Sequence, residues 1–194
     1  MSGFQAIFSY NRHPLSIMKF FLSLLIAILF VIPTFAQEAQ FPIIENFGGI
    51  YKIEGATSLD SQMEYKIVID LKTLQRDKES INPGLNNVAR MMNLHGLGGV
   101  NAENLDVAVI VHGGATDIII NNEAYQKRYE LDNPNIELIA TLKEAGVKIY
   151  VCGQSLLSRQ YARNEVNEDV IVTLSMLTTF TTYMHNGYVP LVFN

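Results

Sequence analysis

The chain has 194 residues, 48% of them hydrophobic and 17% charged, with no low-complexity tract, a composition that suits one domain around a single core. Its formal net charge of −5 argues against nucleic acid or an anionic membrane surface as partner. One cysteine, Cys152, excludes an intrachain disulfide and leaves a functional thiol, an intermolecular link or a small buried hydrophobe.

Met18-Lys19 precedes an apolar run from Phe20 to Ile32, which ends in Pro33-Thr34-Phe35-Ala36 before the polar Gln37-Glu38. A basic flank, a short apolar core and small residues at Thr34 and Ala36 predict a signal peptide cleaved after Ala36, with Met18 a candidate true start and an uncleaved anchor the alternative. The run is shorter than the roughly 20 apolar residues that span a bilayer. Loss of residues 1–36 removes Arg12 and Lys19 and no acid, so the formal charge of the mature chain becomes −7. A periplasmic or secreted protein is the expected product.

Residues 37–63 mix Pro42, Gly48-Gly49 and polar residues with short apolar pieces, and read as an extended segment packed on the domain that follows, residues 64–194. Glu64 to Leu71 is rich in β-branched residues and predicts the first strand, with Asp70 at its carboxyl end. Asn82-Pro83 is a cap followed by proline at the first helical position; Leu85, Val88, Ala89 and Met92 then recur at helical spacing toward Gly96. His95 falls in the last turn of that helix, where a cation or a carbonyl-bonded imidazole is ordinary. Leu105 to Val111 is nearly all apolar, as in a strand covered on both faces, and ends in His112-Gly113-Gly114. Asp117 to Tyr129 reads as one helical stretch, with Tyr125 near the strand ends. A second cap, Asn133-Pro134-Asn135, opens a helix that Gly146 stops. Val147 to Cys152 is the third strand, and Ser155 is read as the cap of a helix running to about Asn164. Val170 to Leu174 is the fourth strand, Ser175 caps a last helix in spite of the Thr178 to Thr182 run, and Tyr188 to Phe193 is the fifth strand.

Strand and helix alternating to the end predict an α/β fold, doubly wound, with a mainly parallel five-stranded sheet and helices on both faces, a three-layer arrangement like that of flavodoxin. Right-handed crossovers put Asp70, His112, Cys152 and Ser175 on one rim of the sheet, where open α/β folds gather their reactive groups. The His112-Gly113-Gly114 turn has neither the G-x-G-x-x-G spacing nor a P-loop lysine, and Gly153-Gln154-Ser155 lacks the second glycine of G-x-S-x-G. No haem, flavin or nucleotide motif is present, so no bound cofactor is expected. Asp70, His112 and Cys152 are acceptable metal ligands in kind, but no local spacing supports a site, and none is expected.

The strand ending near Asp70, the His112-Gly113-Gly114 turn, Asn133-Pro134-Asn135, the stretch from Gly146 to Ser155 and Gly187-Tyr188 together resemble the DsrE/DsrF-like family over about two-thirds of the chain. The resemblance implies this α/β fold, a cysteine after the third long strand, assembly as a homotrimer or hexamer, and transfer of persulfide sulfur with a donor or acceptor protein. Cys152 is then the sulfur-carrying thiol, at a helix mouth that favours thiolate, and His112 its base or imidazolium partner. Gly113, Gly153, Gln154, Ser155, Asp70 and Ser175 are the candidate ligand-binding residues. This chain departs from the cytoplasmic relay proteins in its signal peptide and in the Gly-Gln-Ser that follows the cysteine. The alternative function is a small-molecule binding or oligomeric assembly module that uses the same rim without covalent chemistry.

Overall fold

Five strands, β1 (Tyr65–Leu71), β2 (Leu105–Val111), β3 (Lys148–Cys152), β4 (Ile171–Thr173) and β5 (Val189–Phe193), form one sheet in the order β4-β3-β2-β1-β5, and every pairing is parallel. The computed structural model describes residues 37–194; the expected signal peptide and its cleavage site lie outside the described residues. Successive strand residues point to opposite faces, so one face carries Ile67, Ile69, Val109 and Val151 into the larger core and the other carries Val68, Ala108, Ile110 and Tyr150 into a smaller one.

Helices α1 (Pro83–Leu97), α2 (Asn122–Tyr129), α3 (Ile136–Glu144) and α4 (Gly153–Ser158) supply the larger core with Leu85, Met92, Tyr125, Leu138 and Leu156, all essentially buried. The smaller core is covered by α5 (Met176–His185), through Met176, Phe180 and Tyr183. This helix links β4 to β5, which lie on opposite edges of the sheet, and so it crosses the second face. Its threonines do not turn it into strand. The hydroxyls of Thr178, Thr181 and Thr182 each donate to a carbonyl one turn earlier, at 3.1, 2.8 and 2.7 Å, which satisfies them within the helix.

Three expectations are corrected. The stretch from Asp117 to Tyr129 is not one helix: a 3-10 turn, Gly113–Ile119, comes first, and α2 starts afresh where Asn121 Oδ1 accepts the Ala124 N–H at 2.9 Å. Chain direction changes between them because Ile120 makes an isolated antiparallel bridge with Val166. The Asn133-Pro134-Asn135 sequence does open the helix, but Asn135 holds the N-cap position and α3 begins at Ile136, while the Asn133 side chain accepts the Asn135 N–H and donates to the carbonyls of Ile118 and Ile120. Helix α4 begins at Gly153 and ends at Ser158, so Cys152 holds the N-cap position and Ser155 lies one turn inside.

Within residues 37–63 the stretch 43–50 packs on the domain while residues 51–60 are exposed, and a residue on α1 organises the packed part. The fully buried Asn93 accepts the N–H groups of Ile43 and Ile44 at 2.9 and 2.7 Å and donates to the carbonyls of Ile44, Phe47 and Gly48. Ile44, Phe47 and Ile50 are buried alongside it.

Candidate functional site

Alternation along the strands decides which residues share the rim. Asp70, His112 and Cys152 fall in phase with Val68, Ile110 and Tyr150, so all three leave the sheet on the α5 side.

Cys152 is 5% exposed. Burial pushes its thiol up, but hydrogen bonds from the Met176 N–H, the Ser155 hydroxyl and the N–H groups of Ser155 and Gln154 outweigh that effect and hold the thiol below its usual range. Two helices therefore supply the donors: α4, which starts at the cysteine, and α5, which arrives from the neighbouring strand. Their close approach depends on Gly153, because a Cβ there would stand 2.7 Å from the Thr173 carbonyl oxygen.

The turn after β2 meets α4 at Ser155. The Gly113 N–H donates to Ser155 Oγ at 3.1 Å, with Gly113 in the left-handed region at φ +53°, a conformation that favours glycine. Since a hydroxyl has one hydrogen, accepting from Gly113 leaves that hydrogen for the sulfur. Beside them, His112 Nε2 and Asp70 Oδ1 are 2.5 Å apart, with the two side chains 21% and 12% exposed.

Deeper in the same corner, Asp117 is 3% exposed and accepts from Lys78, Tyr129, Arg159 and Tyr161 at 2.7–2.8 Å. Burial alone raises its carboxyl, and the hydrogen bonds of Lys78, Tyr161 and Tyr129 reverse that and lower it. Facing the other side of α4, a shallow cavity of about 280 Å³ is lined in part by Gly153, Gln154, Leu157, Tyr161, Arg163 and Leu174. Among the described residues, no helix is long and apolar enough to cross a membrane, and no group of three or more His, Cys, Asp or Glu side chains is placed to hold a metal ion.

Residues 66–193 match the model of the DsrE/DsrF-like family. The chain belongs to that family. Among solved structures it is similar to a protein of unknown function, MTH1491 from Methanobacterium thermoautotrophicum, with a TM-score of 0.50 and 15% identity over 66% of this chain and 98% of that one. It is also similar to the ychN protein from E. coli, with a TM-score of 0.49 and 19% identity over 66% of this chain and 99% of that one. No curated protein matches its sequence significantly.

In this DsrE/DsrF-like protein the residues singled out from sequence divide into three sets. Ser155 and the Gln154 backbone serve the Cys152 sulfur directly, Gly113 through its bond to Ser155 Oγ and Gly153 by letting the Thr173 carbonyl approach, while the Gln154 side chain reaches toward the Leu174 carbonyl at 3.5 Å. Asp70 and His112 pair with each other on the adjacent strand ends. Ser175 serves as the N-cap of α5, accepting the Leu177 N–H at 3.2 Å, and the helix it caps presents the Met176 N–H to the sulfur. Met176, Asp117 and Arg159 escaped the sequence reading. The first acts through its backbone, which no side-chain pattern reveals, and the others are brought in by contacts more than forty positions apart, as in the Arg159–Asp117 pair.

Proposed function

We propose that this protein is an exported sulfur carrier of the DsrE/DsrF-like family that holds persulfide sulfur on Cys152 and passes it between a donor and an acceptor protein. The observation that carries the reading is the set of hydrogen-bond donors gathered around one buried sulfur, which stabilise a thiolate where burial alone opposes it. In the loading step the Cys152 thiolate attacks the outer sulfur of a donor persulfide. A sulfur–sulfur bond forms on Cys152, the bond within the donor breaks, and the donor leaves as a thiolate; the sulfane sulfur keeps its proton. Unloading is the same exchange with an acceptor thiolate as nucleophile and Cys152 as leaving group. Donors that stabilise the thiolate serve both directions, because Cys152 is nucleophile in one and leaving group in the other. His112, oriented by Asp70, is the base that takes the proton from an incoming thiol. The cavity on the far side of α4, lined by Gly153 and with Arg163 at its wall, supports the reading by offering a surface for a partner beside the Gly153 turn.

Export through the peptide ending at Ala36 and assembly as a homotrimer or hexamer belong to the same proposal. Assembly is favoured by exposed apolar side chains around the site, Leu174 and Leu177 each 71% exposed and Leu157 72%. Intact mass before and after treatment with a low-molecular-weight persulfide donor tests the carrier reading, with Cys152→Ser as control. The expected result is a gain of about one sulfur atom that requires Cys152 and is removed by reductant. No adduct, together with a slow-reacting thiol, would favour a non-catalytic binding or assembly module. Light scattering of the mature protein tests the assembly, and a monomer at micromolar concentration is the opposing result.

A further inference from the structure

Arg159 lies at the C-terminal end of α4, a turn and more beyond the cysteine, and its guanidinium turns back across the corner toward the loop after β2. Its Nε donates to the Gly113 carbonyl at 2.8 Å and its Nη1 to Asp117 Oδ1 at 2.8 Å, so one planar group grips two points of the same 3-10 turn, its first residue and its fifth. The far point is immobile. Asp117 is nearly inaccessible, and Lys78, Tyr129 and Tyr161 also donate to it. The near point is the residue whose N–H donates to Ser155 Oγ. Gly113 has open space around its Cα and an exposed N–H bond, so nothing in its own packing fixes the peptide that carries it. Its carbonyl is held by Arg159 Nε and, at 2.9 Å, by the Thr116 hydroxyl.

We propose that Arg159 is a positioning residue for the thiol: by clamping the Gly113 carbonyl to the fixed Asp117 carboxylate it keeps the Gly113 N–H on Ser155 Oγ, and thereby turns the Ser155 hydroxyl hydrogen onto Cys152 Sγ. When the clamp is absent the Gly113 turn drifts, and the Ser155 hydroxyl is free to rotate and to accept from water or to donate elsewhere. The task suits arginine. A guanidinium holds its N–H groups at fixed spacing and in one plane, whereas a lysine ammonium in the same place supplies the charge without the fork. The charged groups around this corner are the Asp70–His112 pair at the ends of β1 and β2, Lys78 and Asp117 behind the turn, Arg159 itself and Arg163 across α4. The inference rests on the reading of Cys152 as an activated thiolate.

The test is the pH profile of Cys152 alkylation by iodoacetamide, followed by intact mass on the full chain, for wild type, Arg159→Gln, Arg159→Lys, Thr116→Val and Ser155→Ala, and for Arg159→Gln combined with Ser155→Ala. Circular dichroism confirms the fold of each. Losing one well-aligned hydrogen bond to a thiolate slows alkylation at a pH below all midpoints by roughly three- to tenfold. Arg159→Gln and Arg159→Lys are both expected to show that loss and a higher midpoint. Thr116→Val, which takes the other side-chain donor from the same carbonyl and changes no charge, moves in the same direction. The decisive comparison is the double variant, which is expected to equal Ser155→Ala alone, because without the hydroxyl the clamp has nothing to orient. Wild-type reactivity in Arg159→Lys would show that charge alone matters and would overturn the proposal, as would a further loss in the double variant. If wild type itself titrates in the ordinary thiol range, the thiolate reading of Cys152 fails first. A low wild-type midpoint that none of the Arg159 and Thr116 variants moves sinks only the clamp.

Discussion

Replacing Gly153 with alanine tests the thiolate cradle at its tightest point. The added Cβ would lie 2.7 Å from the Thr173 carbonyl oxygen and 3.4 Å from that of Leu174, and the first contact involves backbone on both sides, so no side chain can swing aside to relieve it. The link from β4 to α5 must move outward until the contact is ordinary, and Met176, three residues beyond Thr173, moves with it. The Met176 N–H is the foremost of the hydrogen bonds that lower the Cys152 thiol. A hydrogen bond to a charged group contributes about 1.5–3 kcal/mol, equivalent to a ~10- to ~150-fold loss of thiolate at a pH below both midpoints. The more basic thiolate is also the better nucleophile, and with a Brønsted coefficient of about 0.4–0.5 it recovers roughly half of that loss on a logarithmic scale. Alkylation of Gly153→Ala should therefore run roughly three- to tenfold slower than wild type, with its midpoint moved to higher pH and about 1–3 kcal/mol less stability from overpacking. Iodoacetamide rates across pH, with urea melts on the same samples, measure both. A folded Gly153→Ala protein whose thiol titrates like wild type would refute the argument that the β4–α5 link delivers a donor to the sulfur.

Other outcomes follow from the same contacts. Asn93→Ala strands the Ile43 and Ile44 N–H groups and should cost roughly 2–4 kcal/mol, with limited proteolysis cutting within residues 38–50 before the sheet domain; uniform cleavage elsewhere would count against its organising role. Asp117→Asn leaves the Lys78 and Arg159 cations without their carboxylate and should destabilise the fold by about 3 kcal/mol at pH 7. The folded carboxyl of Asp117 lies below its unfolded value, so its contribution is complete above about pH 4 and is lost as pH falls through the depressed folded value. The gap between wild type and Asp117→Asn in denaturant melts should accordingly shrink toward pH 3, and a constant gap would be contrary. The lowered Cys152 thiol works the same way at higher pH: its stabilisation is full above the unfolded thiol value of about 8.5 and disappears as pH falls through the folded one. Wild type should gain on Cys152→Ser between pH 6 and pH 9.5, and parallel stability curves would argue against a stabilised thiolate.

Runs of β-branched residues and cap-plus-proline starts made all five strands and the long α1 legible within a residue or two, because local pattern sets where such elements begin. The stretches misjudged are those in which a polar side chain serves the tertiary structure instead of its own helix. Asn133 ties down the Ile118 and Ile120 carbonyls and leaves the N-cap position of α3 to Asn135, and Ser155 faces the sulfur from inside α4 rather than opening it. Asp70 and His112 were legible as strand-end residues on one rim, but their pairing follows from parallel β1 and β2 in register, Leu71 opposite Val111.

By itself the sequence determined the alternation of strands and helices, the all-important position of Cys152 at a strand end, and family membership, since each depends on residues close together in the chain. Only the tertiary structure decided what surrounds the sulfur. The Met176 N–H arrives by way of β4, the Ser155 hydroxyl is set by Gly113 from β2, and the Arg159–Asp117 clamp spans 42 positions. Hydrogen bonds to backbone groups and contacts across the sheet leave no periodic trace in a sequence, so the chemistry of the thiol is a property of the packed corner and not of the residues taken one at a time.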